Sequence, residues 1–176
     1  MSEICVLHFS LTRLTVTSSI LQLVERGKRL LEASISHGVT VVRAHVEVDP
    51  TVELRCLTGG KELRTRFAKR CDVRLVAFAQ DPIFYPDDHE KETSMQQLLE
   101  EAADADAVDA IGSAPYVENA QDGEDAQRRN IDFVFDLARR RQLDVDFHLD
   151  YDLDPKKPTL LWYVIQRAQE SVWQVQ

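Results

Sequence analysis

The chain has 176 residues, of which 44% are hydrophobic and 29% charged, and its formal net charge is −9. This composition excludes a disordered, collagen-like or low-complexity chain and allows one domain with a hydrophobic core. The acidic balance disfavours nucleic acid or an anionic membrane surface as a partner, and the length is too short for a complete eight-fold β/α barrel, which needs about 250 residues.

Helix-like and strand-like patterns alternate along the chain. Apolar residues at helical spacing predict helices over 18–37, 51–70, 93–103, 124–141 and 158–172. Four short, nearly continuous apolar stretches predict buried strands at 39–48, 73–79, 107–111 and 145–149. Gly59 and Gly60 predict a local break in the second helix.

The spacing of the strands predicts repeated βα units. His45, Phe78, Gly112 and His148 mark comparable points near the four strand ends, at steps of 33, 34 and 36 residues. Each step is about the length of one strand–loop–helix–loop unit. We therefore predict an α/β fold, a single domain over 1–176, with a parallel sheet and right-handed crossovers.

Several common motifs are missing from the sequence. Cys5, Cys56 and Cys71 are widely spaced and include no Cys-x-x-Cys pair, which is typical of free thiols in a reducing compartment. No phosphate-binding glycine loop, nucleophile elbow, signal-peptide pattern or apolar run of roughly 18 residues occurs. These absences favour a cytoplasmic protein.

Polar side chains follow the predicted strands at one end of the sheet. His45, Glu47 and Asp49 lie at the end of the first strand, Gln80 at the end of the second, and His148 and Asp150 at the end of the fourth. The carboxyl ends of parallel strands meet at one edge, and strand alternation places His148 and Asp150 on one face. Imidazole and carboxylate groups are usual ligands of zinc or iron. The pattern predicts a metal site, and the alternative of structural histidines with solvated carboxylates stays open.

Three of these strand ends carry motifs of a known family. Residues 43–49 have the sequence Arg-Ala-His-Val-Glu-Val-Asp, residues 76–81 Val-Ala-Phe-Ala-Gln-Asp, and residues 144–150 Asp-Val-Asp-Phe-His-Leu-Asp. They resemble Arg-Thr-His-Val-Asp-Val-Asp, Val-Ala-Phe-Pro-Gln-Glu/Asp and Val-Asp-Ile-His-Cys/Val-Asp-Glu of the cytosine-deaminase-like branch of the metal-dependent amidohydrolases. Residues 115–118, Pro-Tyr-Val-Glu, are a weaker match to Pro-His-Phe-Glu. The resemblance covers about 24–161.

The resemblance implies a (β/α) TIM-type barrel that hydrolyses C–N bonds of a small molecule with a bound divalent metal, zinc or iron. His148 matches a metal-ligand histidine. Gln80 matches a glutamine that contacts the pyrimidine in cytosine deaminases. His45 and Glu47 match positions that line the mouth of the barrel, so we expect them to contact substrate.

The chain departs from the family at two points. Tyr151 stands where cytosine deaminases have the glutamate that moves a proton, and an ordinary tyrosine is a poor base at neutral pH. Asp150 or Asp152 could take that role only if the geometry shifted, and Asp150 and Tyr151 are the candidate catalytic residues. The sequence contains no His-x-His motif, so His148 alone matches the usual ligands. These departures predict a truncated half barrel of about four βα units with a leading helix, inactive by itself, for which metal binding is in doubt.

Two other functions remain open at the level of the sequence. One is a non-catalytic half-barrel that binds a small molecule or forms a homo-oligomer through its exposed sheet edges. The other is a flavodoxin-like binding protein, which an uninterrupted strand order would exclude.

Overall fold

The computed structural model of the protein describes residues 4–8, 19–118, 123–151 and 159–173. Strands and helices alternate in the described residues. The strands found there are β1 (Ile4–His8), β2 (Val41–Glu47), β3 (Asp72–Ala79), β4 (Val108–Ser113) and β5 (Asp144–Phe147). The α-helices found there are α1 (Ile20–Ser36), α2 (Arg55–Phe67), α3 (His89–Ala103), α4 (Gly123–Arg141) and α5 (Leu161–Trp173). A 3-10 turn, Pro115–Val117, follows β4.

The strands form one parallel sheet in the order β1-β2-β3-β4-β5. This order excludes the flavodoxin-like alternative, because every strand lies beside its neighbour in the chain. The four predicted βα units and the leading helix are confirmed. Strand β1, which pairs with β2 ahead of the leading helix, was not predicted, because its apolar run is only four residues long.

The two faces of the sheet are different. On β2, Val42, Ala44 and Val46 belong to a buried cluster that also contains helix residues such as Leu31 and Leu63. The alternate residues Arg43, His45 and Glu47 are polar, so beyond Val41 the strand has an apolar face toward the helices and a polar inner face.

The sheet curls around its inner face. Strands β2 and β5 are separated by β3 and β4, so in a flat sheet they would lie about 14 Å apart. Nevertheless His45 Nε2 on β2 lies 3.4 Å from Asp146 Oδ2 on β5, and Arg43 Nη1 donates to the same oxygen at 2.8 Å. Only a strongly curved sheet brings these side chains together, and this curvature is that of a β/α barrel.

Helix α2 corrects one sequence prediction. The expected break at Gly59 and Gly60 is wrong, because the helix runs without interruption from Arg55 to Phe67. A Cβ at Gly60 would lie 3.0 Å from Val46 Cγ1 and 3.1 Å from Leu75 Cδ2. Gly60 is therefore a point of close helix–sheet approach rather than a helix end.

Two further predictions concern cysteines and membrane spans. Cys56 and Cys71 are free, buried thiols, as expected, and burial together with the nearby Glu47 and Asp49 raises the pKa of Cys56 to about 11. Among the described helices, none is long and apolar enough to cross a membrane.

Candidate functional site

Three metal-ligating side chains meet on the inner face of the sheet. His45, Asp146 and His148 each offer a ligand atom, and these atoms lie within 4.8 Å of one another. The imidazole rings of His45 and His148 have centroids 5.0 Å apart. The ring of Phe78 on β3 lies 5.1 Å from that of His45 and 4.5 Å from that of His148. Both imidazole rings of the cluster therefore pack against the ring of Phe78.

Strand periodicity and register explain how these residues meet. Asp146 and His148 are two positions apart, and the backbone N–H of His148 donates to Ser113 O at 3.0 Å, which extends the β4–β5 pairing by one residue. Gly112, the register partner of Asp146, has no side chain, and a Cβ there would lie 2.3 Å from Asp146 O. The glycine thus permits the close approach of β5 at the level of the cluster.

The electrostatics of the cluster favour an ionised Asp146 and a neutral His148. Burial by itself would raise the pKa of Asp146, but the contact with His45 and the hydrogen bond from Arg43 outweigh it, so the pKa is lowered. The pKa of His148 is also lowered, first by burial and then by the nearby His45, against the opposing effect of Asp146. An ionised carboxylate and a neutral imidazole are the forms that bind divalent metals.

The sequence prediction for Asp150 has a different structural outcome. Asp150 has a positive φ of 56°, and its carboxylate accepts hydrogen bonds from the hydroxyl of Thr159 and, at 3.0 Å, from the N–H of Leu160. It therefore caps the start of α5. The acid that the structure places beside His148 is Asp146, which sequence analysis missed although the same two-residue spacing would have revealed it. Asp152 lies outside the described residues.

Tyr116 contacts both Gln80 and Tyr151 at the mouth. The side-chain amide of Gln80 donates to the Tyr116 hydroxyl at 3.5 Å. The ring of Tyr151 stacks on that of Tyr116, with centroids 5.2 Å apart and planes at 28°, and Tyr151 is 83% exposed. These three residues form a wall of the open mouth.

The two acids after His45 are both buried at the carboxyl end of β2. Glu47 is paired in register with Phe78, one level above His45. Asp49 Oδ1 accepts from the backbone N–H of Thr51 at 2.5 Å and of Val52 at 2.9 Å, which forms the turn leading into α2. Glu47 remains a candidate for substrate contact, whereas Asp49 has a structural function.

A buried polar network forms the rim of the mouth behind β4. Glu118 accepts from the N–H groups of Ile83 at 2.8 Å and Phe84 at 3.3 Å, and from Asn130 Nδ2 at 2.6 Å. Asn130 Oδ1 in turn accepts from Ser113 Oγ at 2.5 Å. Burial raises the pKa of Glu118 in spite of these hydrogen bonds. The network ties the loop after β3, which follows Gln80, to α4, and the weak Pro-Tyr-Val-Glu match was its only signal in the sequence.

Comparison with known proteins identifies the relatives of this chain. The 5-methylcytosine deaminase of Klebsiella pneumoniae superposes on 92% of the chain with a TM-score of 0.78 and 25% identity, over 36% of its own length. An N-isopropylammelide isopropyl amidohydrolase of Pseudomonas sp. (strain ADP) is 26% identical over 115 residues, 65% of the chain. These relatives are members of the amidohydrolase superfamily, and the chain is similar to them in sequence and in fold.

Further comparisons found another curated protein and another solved structure similar to the chain. An uncharacterised protein of Escherichia coli (strain K12) is 24% identical over 84% of the chain. The N-isopropylammelide isopropylaminohydrolase of Burkholderia multivorans shares the fold, with a TM-score of 0.60 and 19% identity over 98% of the chain. No family model matches. The chain spans about a quarter of the length of the curated relatives, with 26% and 29% of each covered.

The described residues fit the metal that the resemblance implies only in part. The sequence has no His-x-His motif, so the usual first-strand pair is not present, and His148 is the single residue that matches the expected ligands. The structure nevertheless brings two imidazoles and one carboxylate together, a donor set that could hold a divalent ion.

Proposed function

We propose that residues 1–176 form one partial barrel domain of a hydrolase that acts on non-peptide C–N bonds, in a cyclic amidine or amide. The inner-face cluster of His45, Asp146 and His148 at the carboxyl end of the strands carries the proposal, because this end builds the active site in β/α barrels. The names of the relatives, a 5-methylcytosine deaminase and an N-isopropylammelide amidohydrolase, support nitrogen heterocycles as the substrate class.

The residues of the mouth have separate tasks in this proposal. Gln80 presents an amide that can both donate to and accept from the edge of a ring, and its contact with Tyr116 orients it. Phe78 and the buried part of the cluster keep water away from the inner end of the site. Glu47 and His45 contact substrate from β2. A bound divalent ion supplies Lewis-acid chemistry in C–N hydrolysis.

We propose that the chain binds such a ring but does not turn it over by itself. Tyr151 offers a phenol where cytosine deaminases have a carboxylate, and the carboxylate of Asp150 is held at the start of α5. Neither residue is placed to move a proton beside His148 as that glutamate does. The cytoplasmic location also stays a prediction.

Binding of 5-fluorocytosine by the full chain tests the proposal. Calorimetry should detect binding to the unaltered chain, and Gln80→Leu should weaken it about 10-fold, because one hydrogen-bonding partner of the ring is lost. Gln97→Leu, a matched change at an exposed position of α3, should bind like the unaltered chain. Ammonia release from 5-methylcytosine should stay at background.

Two results would contradict the proposal. If the unaltered chain does not bind the ring, or binds it equally after Gln80→Leu, the mouth is not a heterocycle site. If ammonia is released at a rate that depends on the chain, the claim that the chain is inactive alone is wrong.

The last helix favours a second function, a non-catalytic half-barrel that dimerises. Trp162 and Leu161 on α5 are 70% and 47% exposed. Exposed apolar side chains of this size are typical of contact surfaces. Sedimentation of the full chain as a monomer at high concentration would contradict dimerisation.

A further inference from the structure

We propose that Tyr116 and Tyr151, the tyrosine pair of the mouth, select fused two-ring cyclic amidines over single-ring ones. This inference rests on the proposed function, because it names the substrate class of the same mouth. The pair stands where the chain departs from the motifs it otherwise resembles, at Tyr116 in Pro-Tyr-Val-Glu and at Tyr151 after His-Leu-Asp. The structure brings these two departures into contact with each other.

The pairing of neighbouring strands explains how the two tyrosines meet. Tyr116 belongs to the 3-10 turn directly after β4, and Tyr151 follows β5, which pairs with β4 in parallel. Residues just past the ends of paired parallel strands lie side by side. The two rings are stacked with centroids 5.2 Å apart, within the range of about 4.5–7 Å that favourable aromatic pairs adopt.

Tyr116 is the anchored member of the pair. Its ring packs against a buried cluster on the inner face of the sheet, made of Val76, Phe78, Ala110 and Ala114. Its hydroxyl accepts a hydrogen bond from Gln80 Nε2 at 3.5 Å. Because the ring is packed on one side and hydrogen-bonded at its tip, Tyr116 is a fixed support for the ring of Tyr151.

Tyr151 is the member of the pair that is free to contact a ligand. Its side chain is 83% exposed, although a ring of this size contributes most to stability when it is buried. The ring of Tyr116 covers one face, and the remainder of the Tyr151 ring is open. An aromatic ring held in place in this way offers a flat ligand a surface for stacking.

The spacing of these groups determines the size of the ligand. A ligand whose amidine edge binds the Gln80 amide has its first ring beside Tyr116, because the Tyr116 hydroxyl contacts the same amide. The centre of the Tyr151 ring lies 5.2 Å from that of Tyr116, so contact with both Gln80 and Tyr151 requires a second ring. A fused second ring is rigid and coplanar with the first, so no torsional freedom is lost when it stacks.

The charge of the mouth favours a free base over a nucleotide. Acidic residues lie at three neighbouring strand ends, with Glu47 at the end of β2, Asp81 after β3 and Asp150 after β5. Carboxylates repel a phosphate group, whereas an amidine is neutral or cationic. The expected ligand is therefore a two-ring base without a phosphate.

Calorimetry of the full chain with adenine and 4-aminopyrimidine tests the role of the tyrosine pair. The two molecules share one amidine edge, and adenine adds a fused five-membered ring. We expect adenine to bind about 10-fold more tightly, because stacking of a base on an aromatic side chain contributes at this level. Adenosine monophosphate should bind more weakly than adenine.

Two variants of Tyr151 isolate the contribution of its ring. Tyr151→Ala should weaken adenine binding about 10-fold and 4-aminopyrimidine binding less than about 2-fold. Tyr151→Phe is the matched control, because it keeps the ring, and it should retain the preference for adenine. Tyr151 is exposed, so both variants should fold, and circular dichroism checks that they do.

The outcomes distinguish this inference from the proposed function. Equal affinity for adenine and 4-aminopyrimidine, with both weakened by Gln80→Leu, would overturn the role of the tyrosine pair and leave the heterocycle mouth intact. A preference for adenine that survives in Tyr151→Ala would also overturn it. If neither of these molecules nor 5-fluorocytosine binds, the proposed function fails and this inference fails with it.

Discussion

The two faces of the sheet carry opposite kinds of side chain on the same strands. Toward the helices, Val42, Ala44 and Val46 of β2 pack with residues such as Leu75 of β3 in one apolar cluster. Toward the inside of the curve, the alternate positions carry charged and aromatic groups that converge on Asp146. The helix-facing side stabilises the fold, and the inner side concentrates groups that can do chemistry.

The difference between the apolar outer face and the polar inner face has a physical reason. Helices pack on the outer face, so the strand residues buried there must be apolar to avoid unsatisfied polar groups. The inner face opens at the carboxyl end of the strands, where polar groups can reach ligand and solvent. Changes on the outer face should therefore affect stability, and changes at the mouth should affect binding.

The largest expected effect is that of Leu75→Ala on the outer face. Leu75 is fully buried between β3 and the helices, so truncation should lower the free energy of unfolding by about 2–5 kcal/mol. Urea denaturation measures this loss, with Leu21→Ala, at a 71% exposed position, as a control that costs less than about 0.5 kcal/mol. Binding of 5-fluorocytosine should not change, and weaker binding would contradict the separation of the two faces.

A pair of adjacent glycines gives a smaller and more precise test. Gly60→Ala should destabilise the chain by about 1–2 kcal/mol, because its Cβ would press on Val46 and Leu75 at 3.0 and 3.1 Å. Gly59→Ala meets nothing closer than 3.7 Å and should gain up to about 1 kcal/mol from helix propensity. Thermal unfolding of the two variants measures the difference. If both glycines tolerate alanine equally, the close approach of α2 to the sheet is not a constraint.

The sequence predicted the architecture because strand spacing and register are linked. In the register of the sheet, Phe78 pairs with Glu47 on one side and with Gly112 on the other, and Gly112 pairs with Asp146. His45 and His148, which the sequence spacing singled out, each lie two residues from this row. Helix periodicity placed the helices within a few residues. Strand β1 escaped detection because a four-residue apolar run has too little pattern.

The candidate site was only partly predictable, because its partners come together through curvature. Alternation along β5 can pair Asp146 with His148, but nothing in the sequence indicates that His45, across two intervening strands, contacts Asp146. Asp150 was a reasonable candidate by spacing, yet the positive φ of its backbone turns the chain into the cap of α5. The predicted helix break at Gly60 was wrong for a similar reason. The glycine is needed where α2 packs closely against Val46 and Leu75, and this contact exists only in the folded structure.

The smallest expected effect lies where the two faces meet, at Glu118 on the rim. Glu118→Gln should lower the free energy of unfolding by about 1 kcal/mol. Both carboxylate oxygens of Glu118 now accept hydrogen bonds, and the amide N–H₂ of glutamine would replace one of them and face a donor such as the N–H of Phe84. Exposed Glu101→Gln should change it by less than about 0.5 kcal/mol and serves as the control.

The pH dependence of this difference tests the electrostatics of the rim. Because burial raises the pKa of Glu118 above the ordinary 4.5, the folded state favours the protonated acid. The contribution of Glu118 is fully present below pH 4.5 and falls as the pH rises through the raised pKa, whereas glutamine does not titrate. The stability advantage of the unaltered chain over Glu118→Gln should therefore shrink between acidic and neutral pH in urea titrations. An advantage that grows with pH would show that the three N–H donors outweigh burial, and Glu118 would then be a stabilising anion that joins the apolar outer layer to the polar mouth.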